Sequence, residues 1–233
     1  MHLVMVHGWL ADGHVWDALL PLLQGHSMLA PDLLGTDHGA QVREVLEAAE
    51  RADFDKFVVI GHAMGAQVAL RLAAARPDRV TAVLLVCPIP PRGLSLAPDV
   101  AALFSGAGGD RDRIGGIIDQ STRRLSPEAR TRLIHQGLRW SPERTASTFR
   151  AWHQGMTEFD PSRVAAPVWV IATDGKSKPQ RLTFDRANDR NLKWSADART
   201  IYFLGNRKRS AETKAPYDGK TQVWAISPAG GEP

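Results

Sequence analysis

Along the first ninety residues, short unbroken apolar runs alternate with stretches in which apolar side chains recur every three or four positions. Leu3–Val6, Phe57–Ile60 and Val80–Val86 have the length and continuity of strands buried on both faces. "SMLAPD", from Ser27, adds a further short strand. Between these runs, Val15–Leu23, Val42–Arg51 and Met64–Arg76 carry helical spacing, and Pro77 stops the last. Strand-helix alternation of this kind predicts an α/β fold: a parallel sheet covered on both faces.

From Arg92 to Arg163 the strand signal vanishes. "SPEARTRLIHQGL" and "SPERTASTFRAW" each open with serine at the predicted N-cap, proline at the first helical position and glutamate next. That order satisfies free amides and complements the helix dipole. Ile114, Ile117, Ile118, Leu133, Ile134 and Leu138 fall at helical spacing, so these helices have an apolar side to bury, as a lid over the strand ends.

After Pro167 the pattern turns to β: Val168–Ala172, Arg181–Phe184, Leu192–Trp194, Thr200–Leu204 and Gln222–Ile226, separated by turns rich in Gly, Asp, Asn and Lys. The predicted organisation is a core first part (1–91), a helical lid (92–163), a last core strand and junction (164–175) and a short β extension (176–233).

Composition sharpens the junction. Through Ala166 there are 17 Lys+Arg and 18 Asp+Glu, but 12 and 7 thereafter. Lys56 is the only lysine of the first part, and all eight histidines lie at or before His153. So abrupt a change predicts two segments of different origin joined near 167–175. The basic charges of the tail are scattered rather than clustered with stacking aromatics, which argues against a nucleic-acid partner. The apolar run Leu3–Val6 is too short for a secretory signal, and no stretch approaches the roughly 18 apolar residues of a membrane span. With Cys87 as the sole cysteine, a cytoplasmic protein without internal disulfides, acting away from membranes, is expected.

The candidate chemistry lies in "VVIGHAMGAQVAL", Val58–Leu70: strand, glycine turn, helix, with Ala63 at the apex. Gly61-His62-Ala63-Met64-Gly65 has the Gly-x-Ser-x-Gly form of a nucleophile elbow, with alanine in the serine position. Upstream, "VMVHGWLADGHVW" and "LAPDLLG" stand in the order and context expected of a His-Gly oxyanion strip and the loop after the next strand. Together these motifs resemble the α/β-hydrolase superfamily over about residues 1–173. The resemblance implies acyl-transfer chemistry, in which a serine attacks, a histidine takes its proton, an acid orients the histidine and two backbone amides hold the oxyanion. It assigns those amides to Trp9 and Met64, beside Gly8, and the nucleophile position to Ala63, where it is disabled. Asp174, in the turn after "PVWVIATD", is the candidate acid, and is equally a turn residue. The base histidine is expected near the chain end, where there is none. The triad is therefore degenerate.

Other residues have plainer expected roles. His7 shapes its loop through backbone hydrogen bonds, His62 packs, Cys87 ends a buried strand as a small hydrophobe, and Trp16, Trp140 and Trp152 are packing residues. His14 and Asp174 are the two unconventional bases that could activate water.

The tail "RLTFDRANDRNLKWSADARTIYFLGNRKR" resembles a blade of TolB-like propellers, nearest those of prolyl-oligopeptidase-type peptidases, departing at Ala196 and Ala198. "TQVWAISPAGGEP" resembles the opening of the next blade. Because a lone blade cannot bury its faces, Ala198–Gly205 is expected to dock as the missing edge strand of the hydrolase sheet. The leading expectation is a hydrolase relative of ester, lactone or amide type that binds an acyl or ester-like ligand with little or no turnover, without metal or organic cofactor. The alternatives are a weak hydrolase with an unconventional base, a propeller-derived interaction fragment, and a chain without evolved function.

Overall fold

The structure, a computed structural model, describes residues 1–122, 124–156, 158–171, 180–181, 190–194, 201–205 and 222–226. Five parallel strands build the central sheet: β1 (His2–Val6), β2 (Ser27–Leu29), β3 (Phe57–His62), β4 (Val80–Val86) and β5 (Val168–Ile171). A two-residue strand, β6 (Gln180–Arg181), pairs antiparallel with β5, giving the order β2-β1-β3-β4-β5-β6. The central strands are the continuous apolar runs of the sequence, and Val4, Met5, Val6, Val59 and Val83 are fully buried. Two helices fill crossovers: α1 (His38–Arg51), capped by Asp37, and α2 (Met64–Ala75), which pack on each other. Through α2 nearly every residue is buried, as its alanine-rich sequence allows.

Four helices sit between β4 and β5: α3 (Pro98–Ser105), α4 (Arg111–Ser121), α5 (Pro127–Leu138) and α6 (Pro142–Gln154). Ser126 and Ser141 cap α5 and α6, accepting from the amides of Ala129 and Arg144, with proline next in each case. Ile114, Ile117, Ile134 and Trp140 form a second apolar cluster with Leu10, while Phe149 and Trp152 belong to the main core. The insertion is thus a lid with an interior of its own, keyed into the loop after β1. No helix among the described residues is long and apolar enough to cross a membrane.

Three expectations are corrected. Residues 15–23 do not form an α-helix; two 3-10 turns, Gly13–Trp16 and Leu20–Leu22, take their place. Asp12 caps the first turn and Pro21 sits inside the second, so a continuous ladder cannot form, and Leu19 and Leu22 remain exposed. Cys87 is exposed rather than buried, because the chain leaves the sheet there with φ 46°. The edge beside β5 is taken by β6, not by 198–205. Instead β8 (Ile201–Gly205) is the middle of a separate antiparallel sheet with β7 (Arg190–Trp194) and β9 (Gln222–Ile226). Pairing with a neighbour a few residues away closes a short loop, whereas reaching β5 would close a long one.

Candidate active site

The strand β3 ends at His62 and α2 begins at Met64, leaving Ala63 alone to turn the chain, with φ 51° and ψ −114°. An L-residue is strained in that region by about 1–3 kcal/mol. Its conformation is over-determined by neighbours. The Ala63 N–H donates to Val86 O at 3.0 Å, and its carbonyl accepts from Ala66 at 3.1 Å and Ile89 at 3.2 Å. The flanking glycines are required by close approach: a Cβ on Gly61 would lie 2.4 Å from Gly65 O, and one on Gly65 2.4 Å from Val6 O. Strand, apex and helix therefore form a tight elbow whose apex side chain is a methyl group.

Facing the apex is the loop after β1. A Cβ on Gly8 would stand 3.3 Å from the Ala63 Cβ, which places this loop directly across the elbow. His7, fully buried, holds the loop in place. Its Nε2 accepts the Leu33 N–H at 3.0 Å, so Nδ1 carries the proton and donates to Gly8 O at 2.8 Å. Both ring nitrogens are committed, and burial pushes the pKa down to about 4. This is the structural role expected of His7. Met64 heads α2, so its amide has no partner within the helix and lies beside the apex. Trp9 follows Gly8, stacks on Phe104 with centroids 5.4 Å apart and donates from Nε1 to Thr145 O at 3.1 Å. Gly8 and Ala63 thus face each other, with Trp9 and Met64 next to them in the chain.

His62 borders this pair too, for the same Cβ on Gly8 would stand 3.0 Å from its Nδ1, whereas His14 lies elsewhere. His14 is exposed and pairs with Asp17 at 3.2 Å, in a surface groove shared with Arg132 and His135. His62 is half-buried, with the edge of Trp16 against it at 6.3 Å, and burial holds it below the usual histidine range. Asp174 lies outside the described residues. Trp140 and Trp152 are buried, as expected of packing residues, and each also joins the lid to the core. Trp140 donates from Nε1 to Ala11 O at 3.1 Å.

Two functional anchors had no signal in the sequence. Arg144 of α6 donates from Nη2 to Leu33 O and lies over the Trp140 ring, 3.7 Å from its centroid. Gln67, one turn past the apex, donates to Pro90 O at 2.7 Å and to Trp152 O at 3.2 Å. Its Oε1 is therefore free to accept from His38 Nε2, at 2.8 Å. Their partners lie 111 residues away for Arg144 and up to 85 for Gln67, so local pattern says nothing of them.

A family model described as alpha/beta hydrolase family matches residues 3–223. The magnesium-chelatase 30 kDa subunit of Rhodobacter capsulatus is 26% identical over 215 residues, covering 79% of this chain and 74% of that protein. Lipase LipV of Mycobacterium tuberculosis is 36% identical over 94 residues, 36% of this chain and 35% of the lipase, so that alignment spans about a third of its length. Among solved structures, an esterase from Exiguobacterium antarcticum superposes with a TM-score of 0.64 at 15% identity, covering 73% of this chain and 72% of that one. At that identity the likeness concerns the fold.

Proposed function

The chain belongs to the alpha/beta hydrolase family, and from that premise we propose that it binds an acyl or ester-like ligand beneath its lid with little or no turnover. One observation carries the reading: the strained apex that faces Gly8 is alanine, so the apex side chain has no atom able to attack a carbonyl. In this reading the amides of Trp9 and Met64, next in the chain to Gly8 and Ala63, hold a carbonyl oxygen, and the aromatic residues around Trp9 supply apolar walls. Binding without acylation is what this set of groups can do. The relative named as a lipase supports an ester-type ligand. The absence of histidine after His153 supports a triad lacking its base as well as its nucleophile. His14, exposed and engaged by Asp17, is poorly placed to replace that base.

The test compares the chain with Ala63→Ser, using a short-chain nitrophenyl ester and its non-hydrolysable analogue. Saturable analogue binding by both proteins, with turnover at the heat-inactivated background in both, is expected. Turnover by the unmodified chain, or strong activity on restoring serine, would overturn the reading.

For the C-terminal segment we infer a blade-like extension of separate origin. The composition change at 167–175 and the antiparallel β7-β8-β9 sheet support it, although the family match continues to residue 223. Resequencing the source locus across the junction checks it. A frame that instead runs on into further hydrolase strands and a histidine would count against separate origin.

A further inference from the structure

The helix α6 is tied at both ends to residues that flank the elbow. At one end Trp9 Nε1 holds Thr145 O, and at the other Gln67 Nε2 holds Trp152 O. Trp9 is next to Gly8, which faces Ala63, and Gln67 is one turn beyond Ala63, so both ties end on residues that flank the apex. Thr145, Thr148 and Trp152 share one helical face, being three and then four residues apart. They are 0%, 1% and 2% exposed.

That face is not satisfied from within the protein. Thr145 Oγ1, Thr148 Oγ1 and Trp152 Nε1 have no hydrogen-bond partner among the described residues. Elsewhere in the lid helical threonines bond back to the preceding turn, Thr122 to Ile118 O at 2.7 Å and Thr131 to Pro127 O at 2.9 Å. Buried polar groups in folded proteins are ordinarily paired, so three unpaired ones on one face call for a partner. Around Trp152 stand Trp9, Phe104 and Phe149, with ring centroids 4.9–6.0 Å from its own. Apolar walls with a few fixed polar atoms are the usual make-up of a small-molecule site.

We propose that this face of α6 is the polar wall of the acyl-binding site, selecting an acyl group that carries an uncharged hydroxyl or carbonyl oxygen along its chain. The assignment rests on the ligand-binding reading above. The Thr145 hydroxyl lies against Gly108, 2.9 Å from where a Cβ there would stand, so the Thr148 hydroxyl, donor and acceptor, and the Trp152 indole donor are the groups that match a neutral oxygen. A carboxylate would lose its hydration there, and the nearby cation, Arg144, has of its buried atoms only Nε unpaired, its Nη2 being held by Leu33 O and its face by the Trp140 ring. Because the three polar atoms are enclosed, the ligand reaches them by parting α6 from the aromatic residues below it.

Calorimetric titration of the intact chain with methyl hexanoate and the series of methyl hydroxyhexanoates tests this. At least one hydroxy isomer is expected to bind about fivefold or more tightly than the plain ester, the effect of one neutral hydrogen bond. Thr148→Val, which removes the hydroxyl at nearly constant shape, should erase that margin and leave methyl hexanoate within about twofold, whereas Thr148→Ser should keep the margin. Saturable binding of methyl hexanoate with no preferred hydroxy isomer, or equal weakening of both ligands by Thr148→Val, would overturn the selectivity alone. Binding of no ester at all would overturn this assignment and the ligand-binding reading together.

Discussion

His7 Nε2 accepts the backbone N–H of Leu33 across 3.0 Å, and the same ring donates from Nδ1 to Gly8 O. One imidazole thereby ties the loop after β2 to the loop facing the elbow, and only in its neutral form. Protonation would place a hydrogen between Nε2 and an amide that is itself a donor.

Stability should therefore fall in mild acid. The unfolded chain takes up this proton near pH 6.5 and the folded protein only near pH 4, so between those values the unfolded state binds more protons. Stability is fully present above about pH 6.5 and declines by up to about 1.4 kcal/mol per pH unit down to about pH 4 for this group. Burial lowers His38 and His62 in the same direction, which steepens the decline. Denaturant titrations from pH 7.5 to 4 measure the slope, and His7→Gln, less stable at pH 7, should show a shallower one.

Ala63→Gly should stabilise the fold. The apex at φ 51°, ψ −114° is strained for alanine and open to glycine, so a gain of about 1 kcal/mol is expected, less the extra chain entropy of glycine. Calorimetry would show this as a rise in Tm of about 2–4 °C. Gly65→Ala should do the reverse by about 2–3 kcal/mol, because its methyl would meet the carbonyl oxygens of Val6 and His7 at 2.4 and 2.6 Å.

Arg144→Gln should loosen the lid without unfolding the core. It removes the bond to Leu33 O and the stacking on Trp140, together worth about 1–2 kcal/mol. Hydrogen exchange should show faster amide exchange through α6, with α2 and β3 unchanged.

Gln67→Leu should cost about 3 kcal/mol. It strands the His38 Nε2–H and relieves the carbonyls of Pro90 and Trp152 of their donor, all in a buried setting. Urea unfolding measures the loss, and His38→Leu in the same background should cost far less than it does alone, since its partner is already gone.

Much of this molecule could be read along the chain. The runs Leu3–Val6, Phe57–Ile60 and Val80–Val86 are strands because an apolar stretch that short is satisfied only inside a covered sheet. Ser126 and Ser141 start helices because each side-chain oxygen needs only an amide three residues on. Half of the elbow was legible for the same reason: Gly61 answers to Gly65 O within the turn, whereas Gly65 answers to Val6 O on another strand. All but the last are local demands, written in neighbouring residues.

What tertiary structure alone decided are the relations among distant parts. Residues 15–23 have helical spacing, yet Pro21 and the Asp12 cap divide them into two 3-10 turns whose Leu19 and Leu22 stay exposed. Residues 198–205 have the character of an edge strand, and 201–205 pair with nearer partners instead, since either edge of a sheet offers the same backbone groups. The ties from Trp9 to Thr145, Arg144 to Leu33 and Gln67 to Trp152 join residues 85 to 136 apart. Each depends on where a fold has already brought a carbonyl, and backbone carbonyls are identical in every residue, so no side-chain pattern can announce them.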